Sequence, residues 1–333
     1  MEVSMLRSVL TSLLVVVSAS GITASSSAAS DYPARAVKII GQSAAGSTLD
    51  VLTRITAEQL TERWGRHVVV ENRVGVMGLI AAQATIREPA DGYTLLGAGA
   101  SLFTILPVRH KDPSFDVNRD LVPVAHLGDI PLLIAVSKSL GVNSLEELIA
   151  LAKAEPTKLN IGTNAAGSFS HLAASLLVER AEAPMLVVPY TGGAPVTLAD
   201  ILGDRVHVTI EGISGILGAL QSGELKALAV TSHERLPNFP DIPTVAETLP
   251  GFTAVGWIIL AAPAATPPAL LDKINADLSE VLARQAVNQR FQMLGTYVRP
   301  LSRTALFDFI RAEQELWWPQ VRAFDAEQPT KQR

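Results

Sequence analysis

Four short segments concentrate residues able to hold a small anion without any cationic side chain. They read Gly41-Gln42-Ser43-Ala44-Ala45-Gly46-Ser47-Thr48, Gly97-Ala98-Gly99-Ala100-Ser101, Gly162-Thr163-Asn164-Ala165-Ala166-Gly167-Ser168 and Tyr190-Thr191-Gly192-Gly193. Small residues let backbone N–H groups approach a ligand closely, and hydroxyls add orienting hydrogen bonds. With no Lys or Arg in any of them, an anion would be held by N–H groups at helix N-termini, helped by Ser47, Thr48, Thr163, Ser168 and water. Any one segment alone reads equally well as a tight turn that binds nothing. Together they predict a cleft, with Ser43, Ala44, Gly46 and Ser101 also at its wall, and Asn164, Gly167 and Tyr190 facing them.

Two acids, Asp50 and Glu211, stand beside these segments. An ionised carboxylate only accepts hydrogen bonds, so an acid at the ligand would favour one that brings a donor of its own. The plain alternatives are a first-turn acid on a helix dipole for Asp50 and a solvated strand-end charge for Glu211.

Patterns for catalysis are missing. Gly97-x-Gly99 lacks the third glycine of a dinucleotide fingerprint, since Leu102 stands there, and no P-loop lysine follows a glycine-rich turn. Gly212-Ile213-Ser214-Gly215-Ile216 is not a nucleophile elbow, and the histidines at 67, 110, 126, 171, 207 and 233 show no metal-ligand spacing. Each histidine reads as a structural or surface residue; His171, in what should be the first turn of a helix, is the one to watch. The expectation is a binding protein with no cofactor and no metal. A secreted hydrolase or isomerase would need a nucleophile or acid–base pair that the sequence does not display.

The elements that must position these loops follow from hydrophobic periodicity. Val37–Ile40 reads as a strand, about Leu49 to Trp64 as a helix, His67–Glu71 as a strand, about Met77 to Arg87 as a helix, and Tyr93–Leu96 as a third strand. After the apolar stretch Leu132–Val136, Ser144-Leu145-Glu146-Glu147 forms a capping box that opens a helix with Leu145, Leu148, Ile149 and Ala152 on one face. Leu159–Gly162, Leu186–Pro189, Val206–Ile210 and Leu225–Val230 read as strands. Thr266, ahead of Pro267-Pro268, predicts the start of a helix whose apolar face is Leu271, Ile274, Leu278 and Leu282. Such alternation predicts α/β architecture: two lobes, each a mostly parallel sheet flanked by helices, with the ligand cleft between them.

The chain has 333 residues, enough for two ordinary domains, and a formal net charge of −5 that offers no field attractive to phosphates. No nucleic-acid partner is expected. At the start, Arg7 precedes the apolar run Val9–Val17, and small residues follow to Ser30 with Ser27-Ala28-Ala29 as a cleavage signal. The run is well short of the roughly 20 residues a spanning helix needs, so residues 1–29 read as a secretory signal peptide. With no cysteine to carry a lipid, a mature chain beginning near Ser30 is expected to be soluble and periplasmic.

Ordered segments then resemble the substrate-binding receptors of tripartite tricarboxylate transporters, also called Bug receptors. They are Gly46-Ser47-Thr48-Leu49-Asp50, Val69-Val70-Glu71-Asn72-Arg73, Asp91-Gly92-Tyr93-Thr94-Leu95-Leu96, Val188-Pro189-Tyr190, Lys226 to Ser232 and Asp241 to Glu247. The resemblance covers Tyr32 to about Trp317 and implies lobe 1 from both chain ends, 30–131 plus 251–333, with lobe 2, 132–250, inserted. It also implies a small carboxylate ligand, contacted in part through ordered water, and a membrane permease as partner of a monomeric receptor. A sensor docking on a signalling protein would change the partner and not the cleft. The sequence departs from the family pattern near the pocket: Ala45 replaces the proline of a Pro-Gly-Gly loop, Thr191 follows Tyr190 where Lys or Arg is usual, and Glu211 stands where Asp commonly faces the ligand. With Glu211 there, the expected ligand is an amino acid, a hydroxy acid or a pyridine carboxamide rather than a fully ionised tricarboxylate.

Overall fold

The computed structural model describes residues 32–110, 114–156 and 158–327. The expected signal peptide lies outside these residues. Two α/β units share the same topology. In the first, β1 (Val37–Gly41) lies between β2 (Val68–Asn72) and β3 (Thr94–Gly99), all parallel, and β3 pairs antiparallel with β9 (Val255–Pro263). In the second, β5 (Asn160–Asn164) lies between β6 (Leu186–Tyr190) and β7 (Val208–Gly212), all parallel, and β7 pairs antiparallel with β4 (Leu121–Ser137). The run Val37-Lys38-Ile39-Ile40 is apolar apart from Lys38, as expected of a strand covered on both faces, with no solvent side to mark.

β4 joins the units. It is one strand of 17 residues, paired with β9 from Leu121 to Pro131 and with β7 and β8 (Leu225–Val230) from Leu132 onward. Thr231 ties the two crossings of the chain together. Its backbone N–H donates to the Leu132 carbonyl, Leu132 N–H donates to its hydroxyl oxygen at 2.9 Å, and Ala254 N–H donates to its carbonyl at 3.0 Å.

The helices that matter for the site are α1 (Thr48–Trp64), α2 (Leu79–Ile86), α3 (Leu145–Ala154), α4 (Phe169–Ala181), α5 (Ala194–Leu202), α6 (Ile213–Gln221), α7 (Pro268–Ala283) and α8 (Arg303–Glu327). α1 and α7 bury Leu52, Ile55, Leu60, Leu271, Ile274 and Leu278 against one face of the first sheet. α4 and α8 close a core running from the first sheet into the second.

Several expectations shift. The Gly97–Ser101 segment is not an open loop: Gly97 to Gly99 complete β3, because a Cβ at Gly99 would lie 2.7 Å from Leu49 Cδ1 and one at Gly97 would lie 3.2 Å from Thr53. Glycine there lets α1 pack directly on the strand. The helix expected from Met77 starts two residues later, since Met77 itself sits at φ 55° and Gly78 at φ 99°. Thr266 does not cap α7; its hydroxyl turns back to the Pro263 carbonyl at 2.7 Å and Pro267 occupies the cap. No sequence expectation covers β9 or α8, although β9 is the buried strand through which the first sheet reaches β4.

Candidate functional site

The strand ends of both units point into one cavity of about 380 Å³. Its two sides are built alike. After the central strand of each sheet comes the same tetrapeptide, Ala44-Ala45-Gly46-Ser47 after β1 and Ala165-Ala166-Gly167-Ser168 after β5. Gly46 and Gly167 both take left-handed backbone, φ 80° and 78°. Glycine adopts that conformation without the Cβ clash that penalises other residues. Each following serine is the N-cap, at φ −70°, ψ 160° for Ser47 and φ −68°, ψ 164° for Ser168.

The caps are completed by the residue three positions on. The Ser47 hydroxyl accepts from Asp50 N–H at 3.4 Å while Asp50 Oδ2 accepts from Gly46 N–H at 2.9 Å. Likewise the Ser168 hydroxyl accepts from His171 N–H at 3.2 Å and His171 Nδ1 accepts from Gly167 N–H at 3.1 Å. An α-helix leaves its first-turn N–H groups without partners inside the helix. Both α1 and α4 therefore present such groups toward the same cavity.

Eight expected residues line it: Ser43, Ala44, Ser47 and Thr48 from the first loop, Ser101 beyond β3, and Asn164, Ser168 and Glu211 from the second unit. Five do not. Gly46 and Gly167 shape the turns from behind. Asp50 is engaged elsewhere, bonding Arg54 Nε at 3.0 Å and Asn72 Nδ2 at 2.7 Å besides Gly46. Burial alone would raise the Asp50 carboxyl, but these hydrogen bonds outweigh it and hold the group below the usual aspartate value. Thr163 is buried, its hydroxyl donating to the Asn164 carbonyl. Tyr190 is half-buried against an apolar cluster of the second unit, its OH donating to Asp200 at 2.6 Å.

The cavity also uses residues the sequence reading did not place there. Gln42 bonds the Ser101 hydroxyl through Nε2 at 3.2 Å. Met77 and Val76 come from a loop with φ of 55° and 44°, a conformation costly for any residue with a Cβ. Phe169 and Trp257 form apolar wall, and the Trp257 indole N–H donates to Glu313 behind it. The repeated Ala-Ala-Gly-Ser tetrapeptide is the sequence signal that marks both helix starts as one kind of structure.

Electrostatically the cavity is unusual. Glu211 is the single titratable side chain among the residues that line it. It is 4% exposed, and Oε1 accepts from Gly212 N–H at 2.8 Å. Burial pushes its carboxyl up to about 7, against smaller opposing hydrogen bonds from Gly212 and Asn164. Gln42 Oε1, Thr48 Oγ1 and Asn164 Oδ1 are buried polar atoms with no hydrogen-bond partner among the described residues. Among these residues no group of three His, Asp or Glu side chains is placed to hold a metal ion, and no helix is long and apolar enough to cross a membrane.

Comparison with known proteins adds independent findings. The profile for "Tripartite tricarboxylate transporter family receptor" matches residues 52–322. Protein BugT of Bordetella pertussis is 36% identical over 311 residues, 92% of this chain and 94% of its own. Among solved structures, an R. palustris protein with adipate superposes with a TM-score of 0.84 at 30% identity, covering 87% of this chain and 97% of that one. MatC from Rhodopseudomonas palustris with bound malate gives 0.79 at 27% identity, covering 87% and 100%.

Proposed function

The chain belongs to the tripartite tricarboxylate transporter receptor family, and from that premise we propose that it captures a small carboxylate in the cavity between its two sheets. Members of this family are periplasmic solute-binding receptors rather than enzymes. The observation that carries the reading is the pair of equivalent helix N-termini aimed at one cavity with no cationic side chain in its wall. First-turn N–H groups and the positive dipole ends of α1 and α4 then supply the positive potential a carboxylate needs. The orphaned atoms of Gln42, Thr48 and Asn164 read the remainder of the ligand. Adipate and malate in the two related structures support a small organic acid; an amino acid or hydroxy acid would also satisfy acceptors such as Asn164 Oδ1 and Glu211.

In this reading residues 30–131 with 251–333 form one lobe and 132–250 the other, closing about Ile130-Pro131 and Pro250-Gly251. Thr231 supports it, since its buried hydroxyl accepts from Leu132 N–H and donates to the Ala254 carbonyl, binding both crossings and leaving two short segments to bend. The receptor would work in the periplasm, after removal of residues 1–29, and deliver its ligand to a tripartite transporter permease.

A thermal-shift screen of the chain from Ser30 against organic acids, amino acids and aromatic carboxylates tests the proposal. A ligand at 100 times its Kd stabilises the native state by about 2.7 kcal/mol. Absence of a shift with every class would sink the receptor reading. Scattering with the best ligand should show compaction; an unchanged radius of gyration would replace hinge closure by a rigid, preformed pocket.

A further inference from the structure

Glu211 poses a problem that the receptor reading leaves open. A carboxyl group at the end of β7 faces a cavity assigned to a carboxylate, and nothing around it carries compensating charge. On β4 its ladder partner is Leu133. α6 brings Gly215, where a Cβ would lie 3.2 Å from Glu211 Cγ, and the same spot touches Ala194 of α5. α1 brings Thr48 against Gly212. The charged residues of α1 nearest the cavity, Asp50 and Arg54, are paired with each other, and His171 of α4 is committed to Gly167. β5 contributes only the neutral Asn164.

Two like charges brought together in a poorly solvated site repel strongly, and water does little to screen them there. A ligand with an ammonium or hydroxyl donor escapes the conflict. A ligand made only of carboxylates escapes it if one of the two groups takes a proton. We propose that Glu211 captures donor-free carboxylates by taking up one proton, so that a neutral carboxylic acid in the wall donates a hydrogen bond to the bound anion. The inference rests on the receptor reading and deepens it. The balance is simple: ionised Glu211, one proton from solvent and the free anion give the complex. The proton resides on Oε2, the oxygen that does not accept from Gly212, and no bond to carbon changes.

The carboxyl of the free protein, already raised to about 7 by burial, rises further when an anion binds beside it. Proton uptake is therefore small below neutrality, where Glu211 is already protonated, and approaches one above it. Affinity follows. It is nearly flat at acid pH and weakens about tenfold per pH unit well above 7.

Calorimetry of straight-chain dicarboxylates from malonate to adipate, in pairs of buffers with different ionisation heats, reads the proton count directly. For whichever of them binds, the expected uptake is clearly larger at about pH 8.5, where it approaches one proton, than at about pH 6.5, with Kd weakening several-fold or more between the two. Glu211→Gln, a neutral isostere that can still donate, should bind with no uptake and a pH-independent Kd. Wild-type binding without proton uptake at the higher pH overturns the inference, as does undiminished uptake in the variant. If malate or glutamate binds at about pH 6.5 and none of the dicarboxylates does, the inference falls while the receptor reading stands. If neither class binds, the receptor reading itself is lost.

Discussion

The turns at Ala44–Ser47 and Ala165–Ser168 are chemically identical and nearly identical in backbone, yet they are locked by different third residues. Asp50 closes the first and His171 the second, each accepting from the glycine N–H. Asp50 is anionic, 3% exposed, and shared among three donors. His171 has only the Gly167 N–H on its Nδ1, and burial, followed by the nearby Arg109 charge, holds it below the usual histidine value. One backbone solution thus tolerates a strong lock and a weak one. The strong lock sits at the start of α1, after β1, and the weak one at the start of α4, after β5.

Removing the strong lock should have the largest effect. Asp50→Ala strands the Gly46 and Asn72 donors and is expected to cost about 2 to 3 kcal/mol in urea unfolding, with little of it from the half-exposed Arg54. His171→Ala strands one neutral donor and should cost about 1 kcal/mol. Equal losses would erase the distinction drawn here.

Acid should separate the two turns in the same order. His171 must be unprotonated at Nδ1 to accept, and its folded value is depressed, so its contribution is full above the ordinary 6.5 and is lost as pH falls through the folded value. Asp50, also depressed, keeps its contribution until pH falls below its ordinary 3.8. Amide exchange should therefore loosen Gly167 at a higher pH than Gly46. Simultaneous loosening would contradict the assignment of the locks.

A swap sharpens the comparison. His171→Asp puts the carboxylate of the first turn into the second without the Arg54 and Asn72 donors, and because an acid in the first turn favours the helix dipole, stability at neutral pH should rise by about 0.5 to 1 kcal/mol. The added charge beside the cavity should at the same time weaken a bound anion, which titration calorimetry would detect. The smallest change in stability belongs to Thr48→Val. Its hydroxyl is buried without a partner, so an apolar isostere should alter ligand-free stability by no more than about 0.5 kcal/mol while weakening the ligand by about 1 kcal/mol. A destabilised ligand-free variant with unchanged affinity would mean that Thr48 serves the fold and not the ligand.

Much of this architecture is legible in the chain because buried strands and amphipathic helices leave periodic traces. Leu225–Val230 occupies the predicted bounds, and Ser144 caps α3 through Glu147 N–H, although the expected box is only half closed, because the Glu147 carboxylate accepts from Asn143 N–H at 2.6 Å and not from Ser144. β4 is harder to read. Pro123, Gly128 and Pro131 punctuate it like breaks, yet the ladder runs on through register shifts with β9, and Gly128 is required where a Cβ would lie 2.7 Å from Thr296. Gln42, although inside the first glycine-serine segment, and Trp257 are not singled out as site residues for another reason. A lone glutamine after a strand and a tryptophan inside an apolar run look like ordinary loop and core until the partner sheet is placed opposite them.

The sequence by itself determined the two α/β units, the glycine-serine turns at their central strands and the absence of cationic side chains from those turns, because each depends on neighbours a few residues apart. Only the tertiary structure decided which of two acids faces the cavity. Asp50 and Glu211 are equally plausible as strings of letters, but Arg54, Asn72 and Gly46 converge on the first, and for the second the surroundings supply only Gly212 N–H and Asn164. Charge on a buried carboxyl is set by the donors that reach it, and donors such as Asn72 and Asn164 arrive from other strands of the folded sheets.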